Sequence, residues 1–271
     1  MAQDANATGL LLQLICNNTP GGLPRQAVLE FASMDLSDFD VLSFDCYGTL
    51  IDWEAGISAV LAPWAAENGV DLDTDTLLAT YASHESATEA AEPGALYPQV
   101  LATSFVRLGD GLGVTVTPEW ADALGRSVPD WPAFADSAAS LAALAGRYKL
   151  IIVSNVDRAG FAASNERLGV TFDRVITAQD VGSYKPAPGH FDALDAAVTD
   201  LGIPPGRLLH VAQSLFHDHV PAKQRGLPTV WINRRHDRAG WGATPAPEAA
   251  VRPDWEFPTM RAFADAATNP R

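Results

Sequence analysis

Cysteine is nearly absent: Cys16 and Cys46 are the two thiols in 271 residues. Such a pair builds neither a disulfide framework nor a zinc knuckle, and Cys46 reads as a small buried apolar residue. Basic residues are also scarce. Lys and Arg total 18 against 33 Asp and Glu, a formal charge of −15 spread along the chain. A net negative surface disfavours nucleic acid and anionic membranes as partners. Long apolar runs are missing too. The longest near the N-terminus, "GLLLQLIC" (9–16), is too short to span a bilayer and has no basic region ahead of it. It reads as neither anchor nor signal peptide, so a cytoplasmic protein is expected. No internal repeat or low-complexity tract is visible.

What is present is a core. Hydrophobic residues make up 47% of the chain, enough for one large α/β domain or one domain carrying an insert. Five short apolar runs read as strands: "VLSFD" (41–45), "YKLIIVS" (148–154), "FDRVITA" (172–178), "RLLHVA" (207–212) and "PTVWIN" (228–233). Their apolar positions are consecutive, as in strands covered on both faces. Helical spacing with a closing Gly separates the later ones. The fold class expected is α/β, a doubly wound parallel sheet of Rossmann type. Residues 55–133 break the alternation, being helical in pattern throughout. They are expected to form a helical insert, flanked by core segments 38–54 and 134–271, with "VPDWPAF" as the return linker. Residues 1–37, with turn-rich "NNTPGGLPRQ", are expected to be an extension.

In open parallel sheets chemistry collects at the carboxyl ends of the strands. Polar residues do gather there: Asp45 after the first strand, Ser154 and Asn155 after the second, Lys185 after the third, and Gln213, Ser214 and Asp218 after the fourth. A lone acid closing an apolar strand needs a reason, because burying an unpaired carboxylate is costly.

These residues stand in "FDCYGTLID", "IIVSNVDR", "VGSYKPAPGHF" and "HVAQSLFHDHVPAKQRGLPTVWINR". The chain resembles the haloacid dehalogenase superfamily over about residues 40–235, and within it the type II 2-haloacid dehalogenases. The resemblance implies that the helical insert is a cap over the active site. It implies a hydrolase of small 2-halogenated acids that uses no metal and no organic cofactor. Asp45 would be the nucleophile that displaces halide and forms an ester. Thr49 would orient it. Lys185 would offset its charge and lower its pKa, Asp218 would position the hydrolytic water, and Ser214 belongs to the same catalytic group. The substrate carboxylate would lie against Ser154 and the backbone N–H groups of Cys46 and Tyr47. Asn155 would face the departing halide, and Trp53 and Tyr97 line the pocket or the core.

Two positions separate the chain from the phosphatases of that fold. Tyr47 stands where they carry a general acid, and neutral Gln213 where they carry a metal-binding Asp. Three positions also depart from the dehalogenases. Their halide-gripping cap Arg corresponds to Tyr81, and Arg107 and Arg126 are the only Lys or Arg in residues 55–133. Phe191 replaces a Tyr, and Leu215 an Asn. Two alternative activities stay open: phosphatase action on a small phosphorylated metabolite, and hydrolysis at another activated carbon centre. A third alternative, a non-catalytic binding protein, would be marked by loss of the nucleophile. "HDH" (217–219) suggests a metal pair, but residues two apart on a helix do not face one another. Glu85, Glu89 and Glu92 read as a solvated helix face. The partner expected is a small molecule, with a homodimer allowed for.

Overall fold

The computed structural model of the protein describes residues 35–247 and 250–269. Of the extension expected at residues 1–37, residues 1–34 lie outside the described residues. The remainder enters a 3-10 turn, Leu36–Asp38, capped by the Asp35 side chain.

Six strands of the described residues form one sheet in the order β3-β2-β1-β4-β5-β6. They are β1 (Val41–Phe44), β2 (Lys149–Ser154), β3 (Arg174–Thr177), β4 (Leu208–Ala212), β5 (Thr229–Ile232) and β6 (Trp255–Phe257). Every neighbouring pair is parallel. The five strands expected from the sequence are all present, each trimmed at its ends. β6, with a half-exposed pattern, is an addition. The chain runs outward from β1 through β2 to β3, then returns to the other side for β4, β5 and β6. The direction therefore reverses between β1 and β4, where a crevice opens beyond the strand ends.

Consecutive apolar positions account for the centre of the sheet. All four residues of β1 and all five of β4 are buried. Polar Ser43 and His210 interrupt these runs. They are register partners, and Ser43 Oγ lies 2.8 Å from His210 Nδ1, so each satisfies the other inside the sheet.

Between β1 and β2 the chain passes through α1 (Trp53–Glu67), α2 (Thr74–Ala91), α3 (Tyr97–Leu112), α4 (Pro118–Gly125) and α5 (Ser137–Ala145). Asp52 and Asp73 cap α1 and α2 by accepting from Ala55 N–H and Thr76 N–H. The return linker holds a 3-10 turn, Val128–Asp130, and brings Trp131 under α1. The later crossovers use α6 (Arg158–Leu168), α7 (Ala178–Val181), α8 (Gly189–Asp200) and α9 (Val220–Gln224), and α10 (Met260–Thr268) closes the described chain. Among the described residues no helix is long and apolar enough to cross a membrane.

Two links tie α1 and α2 to the sheet. Gly56 of α1 lies so close to Trp131 that an added Cβ would run into the indole ring. Arg235, just after β5, donates to Glu54 of α1 (3.0 Å) and Asp75 of α2 (2.9 Å). Gly56→Val is expected to destabilise the protein by about 1–3 kcal/mol through overpacking. Urea unfolding with an unchanged midpoint would show that the indole has room to move.

Candidate active site

The turn after β1 is built to present one carboxylate. Gly48 has φ 89°, a conformation L side chains rarely adopt, and its Cα side faces Gln213 and the Trp53 indole. This tight turn brings Thr49 back over Asp45. Thr49 Oγ1 donates to Asp45 Oδ2 at 2.7 Å and accepts from Gln213 N–H at 2.8 Å. Arg234 donates to the Thr49 carbonyl oxygen at 2.8 Å and pairs with Asp136.

On the other side of Asp45 stands the Lys185 ammonium, 2% exposed. It donates to Asp45 Oδ1 (3.0 Å), Asp218 Oδ1 (2.7 Å) and the Val153 carbonyl oxygen (2.8 Å). All three protons are thereby committed. Asp218 Oδ1 also lies 3.0 Å from His210 Nε2, which joins the Ser43–His210 pair to the group. Asp218 Oδ2 and Ser154 Oγ are buried without a partner among the described residues.

Burial is the largest influence on these groups. It pushes the Asp45 carboxyl above its ordinary value of 3.8. Lys185 pulls it back, and the Asp218 charge adds to the rise. Lys185 thus acts to lower the Asp45 pKa as expected, but burial outweighs it, and the one ammonium is shared by two carboxylates. Burial also acts to raise Asp218, but Lys185 and His210 hold it well below the usual carboxylate range. Burial acts to lower Lys185, and Asp218 and Asp45 overcome it, so its pKa is raised. The trio gathers one buried ammonium and two carboxyl groups, Asp218 shifted down and Asp45 shifted up.

The remaining expected residues divide. Ser154 and Trp53 line the cleft above Asp45. Cys46 is buried, with its thiol pushed well up by burial. The Tyr47 ring lines the cleft, but its hydroxyl pairs with Ser164 Oγ at 2.8 Å, so it offers no acid to a leaving group. Asn155 also lines the cleft, and its amide is bound to the backbone of Lys185. Its Oδ1 accepts from Lys185 N–H (2.6 Å), and its Nδ2 donates to the Lys185 carbonyl (3.1 Å) and to Glu89 (3.3 Å). It clamps the Lys185 backbone. Ser214 Oγ accepts from His217 N–H at 2.9 Å and caps the π-helical turn Leu215–His219. His217 and His219 go to different partners, the Ser214 side and the Ala212 carbonyl.

Glu85 and Glu89 of α2 overturn the solvated-face reading. They are 4% and 6% exposed and line the cleft facing Asp45 and Lys185. Glu85 accepts from Tyr97 OH at 2.9 Å. Their spacing continues the buried stripe of Leu78 and Tyr81, and that continuity is the signal in the sequence. Glu92 is exposed and pairs with Arg107. Burial raises Glu85 to about 7, against the Tyr97 hydrogen bond, which acts to lower it. Burial, with the Glu85 charge, raises Glu89 well above 4.5. Counting the solvent space at its mouth, the cleft encloses about 410 Å³ not filled by atoms.

The phosphatases of this fold hold a divalent cation, and the donor set here does not fit one. The carboxylates of Asp45 and Asp218 converge on an ammonium, and the Gln213 carbonyl oxygen Oε1 turns to Thr244. Among the described residues no group of three His, Cys, Asp or Glu is placed to hold a metal.

A family profile described as haloacid dehalogenase-like hydrolase matches residues 39–212. The chain belongs to the haloacid dehalogenase-like hydrolases. No curated protein matches the sequence. Solved structures share the fold at low identity. A defluorinating L-2-haloacid dehalogenase is 20% identical with TM-score 0.67, covering 85% of this chain and 96% of that one. The L-2-haloacid dehalogenase from Xanthobacter autotrophicus with chloropropionic acid covalently bound is 18% identical with TM-score 0.68, covering 86% and 100%. The HAD-hydrolase YfnB from Bacillus subtilis, bound to magnesium, is 18% identical with TM-score 0.66, covering 85% and 99%.

The Glu85 shift fixes a pH dependence of stability. An acid whose folded-state pKa is raised favours folding fully below its unfolded value, and that contribution is lost as pH rises through the folded one. For Glu85 the window runs from 4.5 to about 7. Glu85→Gln cannot ionise, so its stability relative to the parent is expected to increase as pH climbs through that window. Urea midpoints that keep a constant offset across it would show that Glu85 titrates normally.

Proposed function

We propose that the protein hydrolyses small 2-haloalkanoic acids through an ester on Asp45, releasing halide and a 2-hydroxy acid. The observation that carries this reading is the Asp45 carboxylate, held between Lys185 and Thr49 beneath the unpartnered Ser154 Oγ and Asp218 Oδ2. The covalently bound chloropropionic acid of the Xanthobacter relative supports it by likeness of fold.

In this reading an ionised Asp45 oxygen bonds to carbon 2 of the substrate, and the halide leaves with the bonding pair. Halide needs no proton, which accords with a Tyr47 hydroxyl turned to Ser164. Ser154 Oγ and the N–H groups of Cys46 and Tyr47 receive the substrate carboxylate, and the Trp53 ring walls the cleft. A water then attacks the ester carbonyl carbon of Asp45. The tetrahedral centre expels the hydroxy acid's oxygen, which takes up one proton of the water; the other is released to solvent, and the Asp45 carboxylate is restored. Asp218 orients that water through its free Oδ2. Its depressed pKa suits it to orienting a water more than to keeping a proton. Asn155 and Ser214 act as positioning residues, fixing Lys185 and the Asp218 turn.

Asp45→Asn is expected to remove halide release completely while circular dichroism stays unchanged. Single turnover in ¹⁸O-water is expected to leave the label in Asp45; label appearing first in the product would mean that water attacks the substrate directly. Chelation is expected to leave halide release intact, and loss of activity with EDTA would point to metal-assisted phosphoryl transfer instead. Because Asp45 must ionise to attack, kcat/KM is expected to rise with pH through a midpoint above 3.8, the ordinary value.

A further inference from the structure

The half of the cleft formed by the helical insert carries the wrong charge for a plain haloacid. Glu85 and Glu89 line it opposite Asp45 and Asp218. The one lining lysine, Lys185, has spent its three protons on Asp45, Asp218 and the Val153 carbonyl. The lining imidazole, His217, is held at about 4 by burial and is neutral at pH 7. The two arginines of residues 55–133 lie elsewhere. Arg107 is bound to Thr88 and Glu92, and Arg126 pairs with Asp122. A second anionic group on a substrate would meet two carboxylates there and no free cationic donor among the described lining residues.

A cation would meet the reverse. The Glu85 and Glu89 carboxylates stand beside the rings of Tyr47, Trp53 and Tyr97 in the same cleft. Carboxylates with aromatic faces are the chemistry that binds an ammonium group. Ser154 Oγ and Asp218 Oδ2, in the same cleft, are buried and unpartnered, so this space also offers polar atoms that a ligand can satisfy. A substrate could therefore place its carboxylate at Ser154 and a positive group at the α2 acids.

We propose that Glu85 and Glu89 form an ammonium subsite, so that the preferred substrates are small acids bearing an amine a few bonds from the reacting carbon. This rests on the reading of Asp45 as the nucleophile, and the displacement itself is unchanged. Burial raises the pKa of both acids, and a bound cation would favour their ionised forms.

Two measurements test it. The first is calorimetric binding of 4-aminobutanoate and of pentanoate, which differ by an ammonium in place of a methyl group. The aminated acid is expected to bind roughly tenfold tighter or better, as one charge-assisted contact allows. In the double variant Glu85→Gln, Glu89→Gln the preference is expected to vanish, with each single variant losing part of it. Equal binding, tighter binding of pentanoate, binding of neither, or a preference that survives the double substitution overturns the subsite. The second is halide release from 4-amino-2-chlorobutanoate and 2-chloropentanoate, where the kcat/KM ratio should favour the amine by a similar factor. Equal turnover of both keeps the dehalogenase reading and overturns the subsite. An ammonium preference in binding with no halide release from either substrate keeps the subsite and overturns the dehalogenase reading.

Discussion

One ammonium group organises the site. Lys185 reaches from the segment after β3 into the crevice and meets the acid after β1, the acid after β4 and the end of β2, at Val153. Four strand ends are joined through three N–H bonds. Burying a charge in this way is tolerable only when every proton finds an acceptor, and removing one partner of such a group typically costs about 3–5 kcal/mol. Asn155 holds the backbone of the same lysine from both its N–H and its carbonyl. The position of the amine is thus set twice, by its head and by its stem. Two carboxylates compete for it, and the competition decides their character: Asp218, with His210 as a second donor, stays the anion, and Asp45 keeps the higher affinity for a proton.

Much of this was legible in the sequence because parallel sheets make a simple demand. A strand covered on both faces is apolar throughout, so a polar residue at its end stands out. Asp45, Ser154, Lys185 and Asp218 were found in that way, and the structure gathers all four around one cleft. The same argument applies inside a strand, where Ser43 and His210 also interrupt apolar runs. Their meaning depends on register across β1 and β4, which a single sequence does not display. β6 is not legible, because three half-exposed residues after a Gly- and Pro-rich stretch carry no periodic signal.

The α2 acids were hidden by a general expectation. Charged residues four apart on a helix usually face water, and only the packing of α2 against α3 and over the strand ends turns that face inward. The apolar residues one and two turns earlier, Leu78 and Tyr81, share the face. Asn155 and Ser214 show a related ambiguity. Amides and hydroxyls at strand ends serve equally to hold backbone and to touch a ligand, and here their hydrogen bonds go to Lys185 and to the turn bearing Asp218. The motifs are legible as a set, but the division of labour within them is a matter of three-dimensional reach.

The Arg234 guanidinium, resting on the Thr49 carbonyl from a position 185 residues later in the chain, has a consequence for assembly. The family profile ends at residue 212, so every signature up to the fourth strand can be present before this contact exists. The loop after the first strand is therefore braced by a residue that follows the fifth strand. A nascent chain would leave the loop around Asp45 without this brace until residue 234 has emerged.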